Sequence, residues 1–332
     1  MAIANLPAYV PAVLLKEVLD RAHAFQRIGY VFDKVKMSPN MGQSAILARF
    51  INGAISTTPE AEGQNVVTRA PQTETFTATI RRYAVALATS MLNADLDPVD
   101  WVKNMAGLVV DEVKMVKERL RWNAACSGTN RIFNSTSVTQ RTEVNGPITL
   151  GRLQRATASI EGAKGQTFTS ESNGSNRVGT APQEAGFVVL SHTDTHPDVR
   201  NLPGFKPRAA MTGSDYPEGT FGSVDNLVFV TSPEFAPILG AGAASTTMRT
   251  TNGNTDVYPF VVCARHAFTE IDFKGKDRDG FGNARVNVLD KADKSDYTNA
   301  RVIVSASWYD EAIPTSDDWS VRIECGATAN PA

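Results

Sequence analysis

Three features of the chain point to an α+β fold. Thr73, Thr75, Thr77 and Thr79 alternate with Glu74, Phe76, Ala78 and Ile80, a period of two that belongs to a strand with two chemically different faces. A capped amphipathic segment from Asp97 to about Ala125 has the length and spacing of a long helix. After it, short apolar runs at 187–190, 227–230, 258–263 and 302–308 are mixed with helical segments rather than alternating regularly with them.

The first helix expected lies near the N-terminus. Pro11 sits close to its start, and Leu14, Leu15, Val18, Leu19, Ala22 and Phe25 recur at helical spacing. The segment that follows is extended, so no adjacent helix covers this stripe, and a partner surface is needed. Residues 43–52 read as a strand ending at Asn52-Gly53, and 73–87 as a longer one. The Thr, Gly, Pro, Asn and Glu-rich stretch 53–71 between them is too long for a tight turn. Together they predict a long hairpin with an irregular tip, with Gly42 and Gly53 as hinges. At ~3.3 Å per residue such strands reach roughly 35 to 50 Å, beyond the ~20 Å radius of gyration of a compact chain of this length. The hairpin is therefore expected to leave the body and lie on another surface, burying Phe76, Ala78 and Ile80 there.

In the long helix Asp97 caps, Pro98 suits the first position and Asp100 favours the positive dipole end. Val102, Met105, Val109, Val113, Val116 and Leu120 form a seam within about 80°, and Gly128 ends the helix. Thr149 is expected to cap a further helix with Leu150, Leu153, Thr157 and Ile160 on one side. The polar stretch 164–185 reads as a surface loop, 187–190 as a central strand, and a helix starts near Pro197. The last strand spans 319–323.

The length of 332 residues suggests two domains, and 42% hydrophobic content is enough for a sizeable core. Thirty-three basic against 35 acidic side chains exclude a protein that binds phosphates over its whole surface. No apolar run approaches the roughly 18 to 20 residues that span a bilayer, and the N-terminus lacks the order of a secretory signal. A soluble protein made in a cytoplasm is expected, with no membrane partner. Cys126, Cys263 and Cys325 are too far apart for a zinc motif or a disulfide framework, and no 20- to 50-residue repeat is visible.

The best enzyme lead is His192-Thr193-Asp194-Thr195-His196, whose alternate residues on a strand present three ligands for a divalent metal. Pro197 follows at once and no second ligand cluster accompanies it, so a cap-and-turn reading is preferred, with Asp194 or Thr195 as the cap. Asp277-Arg278-Asp279-Gly280 lacks the remaining positions of a calcium loop and reads as a charged turn. Gly240-Ala241-Gly242 lacks the flanking βα unit of a dinucleotide loop and reads as a flexible surface loop. Neither a GxSxG nor a Walker A element occurs. Cys126 sits at the negative end of the long helix, where its thiol pKa is raised. No catalytic residue, metal or cofactor is expected. Lys103, Lys114, Lys117 and Arg121 share a flank of the long helix, either solvated or facing the phosphates of a nucleic acid.

The order of elements resembles the major capsid proteins of tailed bacteriophages, and more narrowly the podovirus-type coat protein family. The resemblance rests on FTATIRRY at 76–83, the helix from Asp97, HPDVR at 196–200, GSVDNLVFV at 222–230, DVYPF at 256–260 and WSVRIE at 319–324. It implies the Johnson fold of tailed-phage and herpesvirus shells, with an N-terminal arm (1–35), an extended E-loop hairpin (36–93), a peripheral domain on a spine helix (94–148, completed by 295–332) and an axial domain (149–294). It further implies hexamers and pentamers of this chain in an icosahedral shell around double-stranded DNA. The partners would be the portal and separate scaffolding or decoration proteins, in a virion assembled in the bacterial cytoplasm. Inter-subunit contacts are then expected from Leu14, Val18, Phe76, Ala78 and Ile80, and genome contacts from Lys103, Lys114, Lys117 and Arg121. The alternatives are an encapsulin-like compartment and a metal-dependent hydrolase using His192, Asp194 and His196.

Overall fold

The computed structural model describes residues 26–37, 42–51, 70–90, 101–168, 186–211, 216–273, 285–290 and 301–329. Along the chain run β1 (Phe32–Met37), β2 (Ser44–Ile51), β3 (Gln72–Thr79), β4 (Arg81–Ser90), α1 (Trp101–Ala125), β5 (Arg131–Phe133) and α2 (Leu150–Gly162). Then come β6 (Phe187–His192), α3 (His196–Arg200), β7 (Lys206–Pro207), β8 (Thr220–Val224), β9 (Leu227–Ser232), β10 (Thr250–Thr251) and β11 (Asn254–Thr255). The chain ends with β12 (Tyr258–Cys263), β13 (Phe268–Phe273), β14 (Arg285–Asp290), β15 (Arg301–Pro314) and β16 (Ser320–Cys325). The expected α+β class is what forms. Contacts divide the chain into two discontinuous units, one of 26–82, 115–276 and 309–332, the other built from 1–25, 83–114 and 277–308.

The core of the larger unit is a seven-stranded mixed sheet in the order β5-β16-β12-β6-β9-β8-β7. Its middle strands read FVVLSH, LVFVTS and YPFVVC, with nearly every residue buried. Such runs, apolar on both faces, need cover on both sides of the sheet. On one side Phe187, Val189, Phe229, Phe260, Val262 and Ile323 pack with Leu153, Ala156 and Ile160 of α2. On the other, Val188, Leu190, Val230, Val261 and Cys263 meet Ile28, Val31, Phe32, Trp122, Phe235 and Phe268. Trp122 stacks on Phe235 with ring centroids 4.5 Å apart, and its indole N–H donates to the Ala236 carbonyl at 3.2 Å. Residues 28–32 thus belong to this core although 1–35 was expected to be an arm, and the sheet takes β5 and β16 from outside the 149–294 span expected for an axial domain.

The expected strand 73–87 is two strands. β2 and β3 pair antiparallel from Ser44↔Thr79 to Ile51↔Gln72. The ladder closes where Ile80 N–H donates to Gln43 O at 2.9 Å and the Gln43 amide returns a bond to Ile80 O at 3.1 Å. Gly42, at φ +85°, turns the chain into this hairpin in a conformation side-chain-bearing residues rarely adopt. Beyond Ile80 the chain changes partner, and β4 pairs with β15. In the smaller unit β15 also pairs antiparallel with β14, from Arg285↔Ser307 to Asp290↔Val302, and Tyr83 stacks on Trp308 at 5.9 Å. The C-terminal part of β15 pairs instead with β13 in the larger unit, and β13 pairs in parallel with β1.

Phe229, fully enclosed between α2 and the sheet, is the test of this core. Phe229→Ala is expected to cost ~3–5 kcal/mol in denaturant unfolding, while Phe50→Ser, at an exposed position, changes the same midpoint by less than about 0.5 kcal/mol.

Candidate functional site

The hairpin has two unlike faces. Ala45, Leu47 and Ala78 point inward with Ile80 and cover Val35, Met37, Ile271 and Ile313 of the same chain. Arg49 extends this face, pairing with Glu74 at 2.8 Å and lying 5.5 Å from the Phe76 ring and 4.9 Å from the Trp319 ring. The other face carries the threonines, with Ile46 69% and Phe50 75% exposed, and Ile51 exposed at the ladder's end. This overturns the expectation that Ala78 and Ile80 lie open for a neighbour, because both are buried against their own body, and Phe76 is half-buried on the same side. The apolar residues that do meet solvent sit on β2. Their signal was in the sequence as Ile46, Ala48 and Phe50 at period two, opposite Thr77, Thr75 and Thr73. Leu14 and Val18 lie outside the described residues.

The basic stripe on α1 divides. Lys114 remains on the surface and pairs with Asp111 one turn earlier at 3.5 Å. Lys117 is buried with its ammonium 4.0 Å from Asp272, and Arg121, 4% exposed, donates to Glu270 Oε1 at 2.6 Å. These two are corrected from genome-facing groups to internal ones. Their counter-charges come from a strand about 150 residues further on, which no local pattern reveals. Of Lys103 only the helical backbone is described. Between the two cations, Glu118 turns inward and accepts from the Arg27 and Ile28 backbone N–H groups at 3.0 and 3.2 Å. Burial lifts its carboxyl above the usual range against the pull of those bonds.

The metal reading of His192, Asp194 and His196 fails on where each atom is spent. His192 Nδ1 accepts from the Asp194 N–H at 3.0 Å and caps the 193–195 turn, while Thr195 stands at the N-cap position of α3, as expected, but makes no side-chain bond to it. Thr195 Oγ1 donates back to the His192 carbonyl at 2.7 Å. Asp194 Oδ2 accepts from Tyr258 Oη at 3.1 Å and pairs with Arg249 at 2.8 Å. His196 Nε2 meets Thr231 Oγ1 at 2.8 Å, and its ring stacks on Phe221 at 3.9 Å. Burial holds both imidazoles below the ordinary histidine pKa, hence neutral at pH 7. Cys126 has its thiol pushed up to about 12, by burial first rather than by the helix end alone. The 240–244 segment is not loose: Gly242 N–H donates to Thr255 O and Ala243 N–H to Val144 O, both at 2.9 Å. A Cβ at Gly242 would meet Val144 O at 2.5 Å, so the glycine serves a close backbone approach. The 277–280 turn lies outside the described residues.

Removing the guanidinium of Arg121 leaves the Glu270 carboxyl enclosed without its ion-pair partner. Arg121→Ala is therefore expected to cost on the order of 3–5 kcal/mol in urea unfolding. Lys114→Ala, which removes a partly exposed lysine at the longer distance of 3.5 Å from the buried Asp111, is expected to cost less than Arg121→Ala in the same measurement.

No family model matches the chain, and no curated protein matches its sequence. Solved structures do match, over full length. The capsid of Ralstonia phage GP4 is 12% identical with a TM-score of 0.65, over 100% of this chain and 99% of that one. The cyanophage Pam1 capsid subunit is 10% identical with a TM-score of 0.61, over 99% and 100%. The capsid of Helicobacter pylori bacteriophage KHP30 is 9% identical with a TM-score of 0.59, over 98% and 99%. With near-complete coverage in both directions, this chain has the α+β Johnson fold of tailed-phage capsid subunits.

Proposed function

We propose that the chain is a structural major capsid protein that assembles with copies of itself into the hexamers and pentamers of an icosahedral shell enclosing double-stranded phage DNA. The observation that carries this is the two-way, end-to-end match to capsid subunits, which leaves little of this chain over for another activity. The sites agree with it, since the histidine pair that suggested metal hydrolysis is neutral, capped and stacked. In this reading the hairpin is the E-loop, α1 the spine helix and the segment before residue 26 the N-terminal arm. Of the four-part division, the boundaries at 93, 148 and 294 are kept as a map of roles, and the arm is drawn back to the segment before residue 26. Leu14, Val18 and Phe76 remain proposed contacts, joined by Ile46 and Phe50 on the open face of the hairpin. Lys103 and Lys114 remain the genome-facing members of the basic stripe. A portal and separate scaffolding or decoration proteins complete the proposed virion, built in the bacterial cytoplasm.

The exposed face of β2 supplies what a docking ribbon needs: apolar side chains at alternate positions, with threonines opposite them that fit a pleated surface. Burying such residues at many equivalent contacts makes ring closure cooperative without any single contact being strong.

Electron microscopy and sedimentation of the expressed full chain test the reading. Rings or closed shells are expected. The double variant Ile46→Ser, Phe50→Ser is expected to keep the parent's unfolding midpoint and to lose assembly, as is deletion of 54–70. A chain that stays monomeric at every concentration would overturn the function, and normal particles from the double variant would overturn the contact face.

A further inference from the structure

The larger unit holds a buried ionic cluster that the capsid reading does not use. Glu270 and Asp272 project from the same face of β13, and Asp310 of β15 stands directly opposite Asp272 in the antiparallel ladder. One carboxylate oxygen from each of the three lies within 4.8 Å of the others. Facing them from α1 are Lys117 and Arg121, with Glu118 turned away to the Arg27 and Ile28 backbone. From β1, Lys34 stands opposite Glu270 and Lys36 opposite Asp272, both exposed at the rim. Glu311 points to the reverse face of β15 and pairs there with Arg81 at 3.7 Å.

Three acids, Glu270 and Asp310 buried and Asp272 half-buried, thus face two buried bases. The hydrogen bonds do not settle the difference. Glu270 Oε2, Asp272 Oδ1 and Asp310 Oδ1, one oxygen from each acid, are enclosed and have no hydrogen-bond partner, although Lys117 stands 4.0 Å from Asp272 Oδ1. Like charges this close in a low-dielectric interior do not all ionise together. Two cationic side chains already stand against the carboxylates, so the group missing from the charge balance is a single proton rather than a divalent ion.

We propose that β13 and β15, the strands beneath the second half of α1, are joined by a proton-operated latch, closed when Asp310 carries a proton and opened when that proton leaves to bulk water. Closed, the Asp310 O–H donates to a neighbouring carboxylate, and the cluster's three-against-two imbalance disappears. Open, Asp272 and Asp310 repel across the ladder with a charge left enclosed, and the β13–β15 pairing on which the helix rests weakens. Burial, and after it the charge of Glu270, pushes the Asp310 carboxyl from its ordinary value up to about 7. Asp272 is raised too, first by burial, with Lys117 pulling it back. The sign follows from linkage. A carboxyl whose folded pKa lies above its unfolded value binds its proton more tightly when folded. Its stabilisation is complete at pH below the unfolded pKa and is lost as pH rises through the folded one, here by about pH 7 to 8. The latch stands whether or not the chain assembles.

Thermal unfolding and amide exchange of the full-length protein between about pH 5 and pH 8.5, with EDTA present, test this. The parent is expected to lose on the order of 5 °C across this range relative to Asp310→Asn. Exchange at 115–121, 269–272 and 310–312, corrected for intrinsic rates, should rise on the order of tenfold in the parent and stay flat in the variant. Histidines elsewhere titrate in the same range, so the difference between parent and variant is the readout. Asp272→Asn removes one like charge and should move the inflection to lower pH, which keeps the test open if Asp310→Asn does not fold. The proposal is overturned by parallel pH curves in parent and variant, or by an unmoved inflection in Asp272→Asn. It is equally overturned if magnesium or calcium at about pH 8 restores the parent's lost stability and EDTA removes it again, since the cluster is then a cation site.

Discussion

Side-chain alternation along β13 is the constraint on which the larger unit depends. In six residues, Phe268, Glu270 and Asp272 take one face, while Thr269 and Ile271 take the other. Phe268 enters the cluster that holds Trp122 and Phe32, and the two acids receive Arg121 and Lys117. On the reverse side Ile271 supports Ala78 and Ile80 at the base of the hairpin. One short strand therefore anchors the long helix through charge and the hairpin through apolar burial. A register slip of a single residue would present acids to the hairpin and Ile271 to the cations, so the two attachments specify each other.

What was legible in the sequence was whatever a short window contains. The expected strand at 258–263 is β12 residue for residue, because a run apolar on both faces, bounded by Asp256 and Arg265, has few other homes. The 44–51 and 72–79 pairing, the end of α1 and the inward stripe of α2 were legible for the same reason. Two readings failed where the deciding partner lies far along the chain. Period-two alternation continues past Thr79, so nothing local marks that the chain leaves β2 for β15 at Ile80. Lys117 and Arg121 look like a solvated flank until Glu270 and Asp272 are brought under them. A third outcome turned on a near neighbour: Thr195 stands at the N-cap of α3 without a side-chain bond, and the turn before it is capped by the His192 imidazole, which burial keeps neutral and able to accept a bond.

Identity near 10% beside full-length structural similarity has a physical reading. The seven-stranded sheet asks for buried residues of suitable volume on both faces of β6, β9 and β12, and many sequences meet that demand. Other sites in the larger unit are constrained by chemistry rather than volume. They include the acid cluster under α1 and the Glu324 carboxylate, fully buried between Arg141 and Arg322. Those arginines hold Glu324 below the ordinary carboxylate range although its burial works the other way.

The buried face of the hairpin changes the physical case for assembly. A ribbon uncovered on both faces would need a neighbour merely to exist, and association would then be inseparable from folding. Here Ala78, Ile80 and Leu47 find their cover at home, while Ile46 and Phe50 do not. In the proposed assembly, a subunit so divided holds its hairpin by intramolecular contacts and, among the described residues of that hairpin, offers a neighbour a narrow apolar strip. Single contacts of that size break and re-form, so a misplaced subunit leaves before a ring closes around it. Ring closure in the proposed shell would then multiply many such strips into a stable whole. The covered face thus matters to assembly as much as the open one, because it keeps each contact weak enough to be corrected.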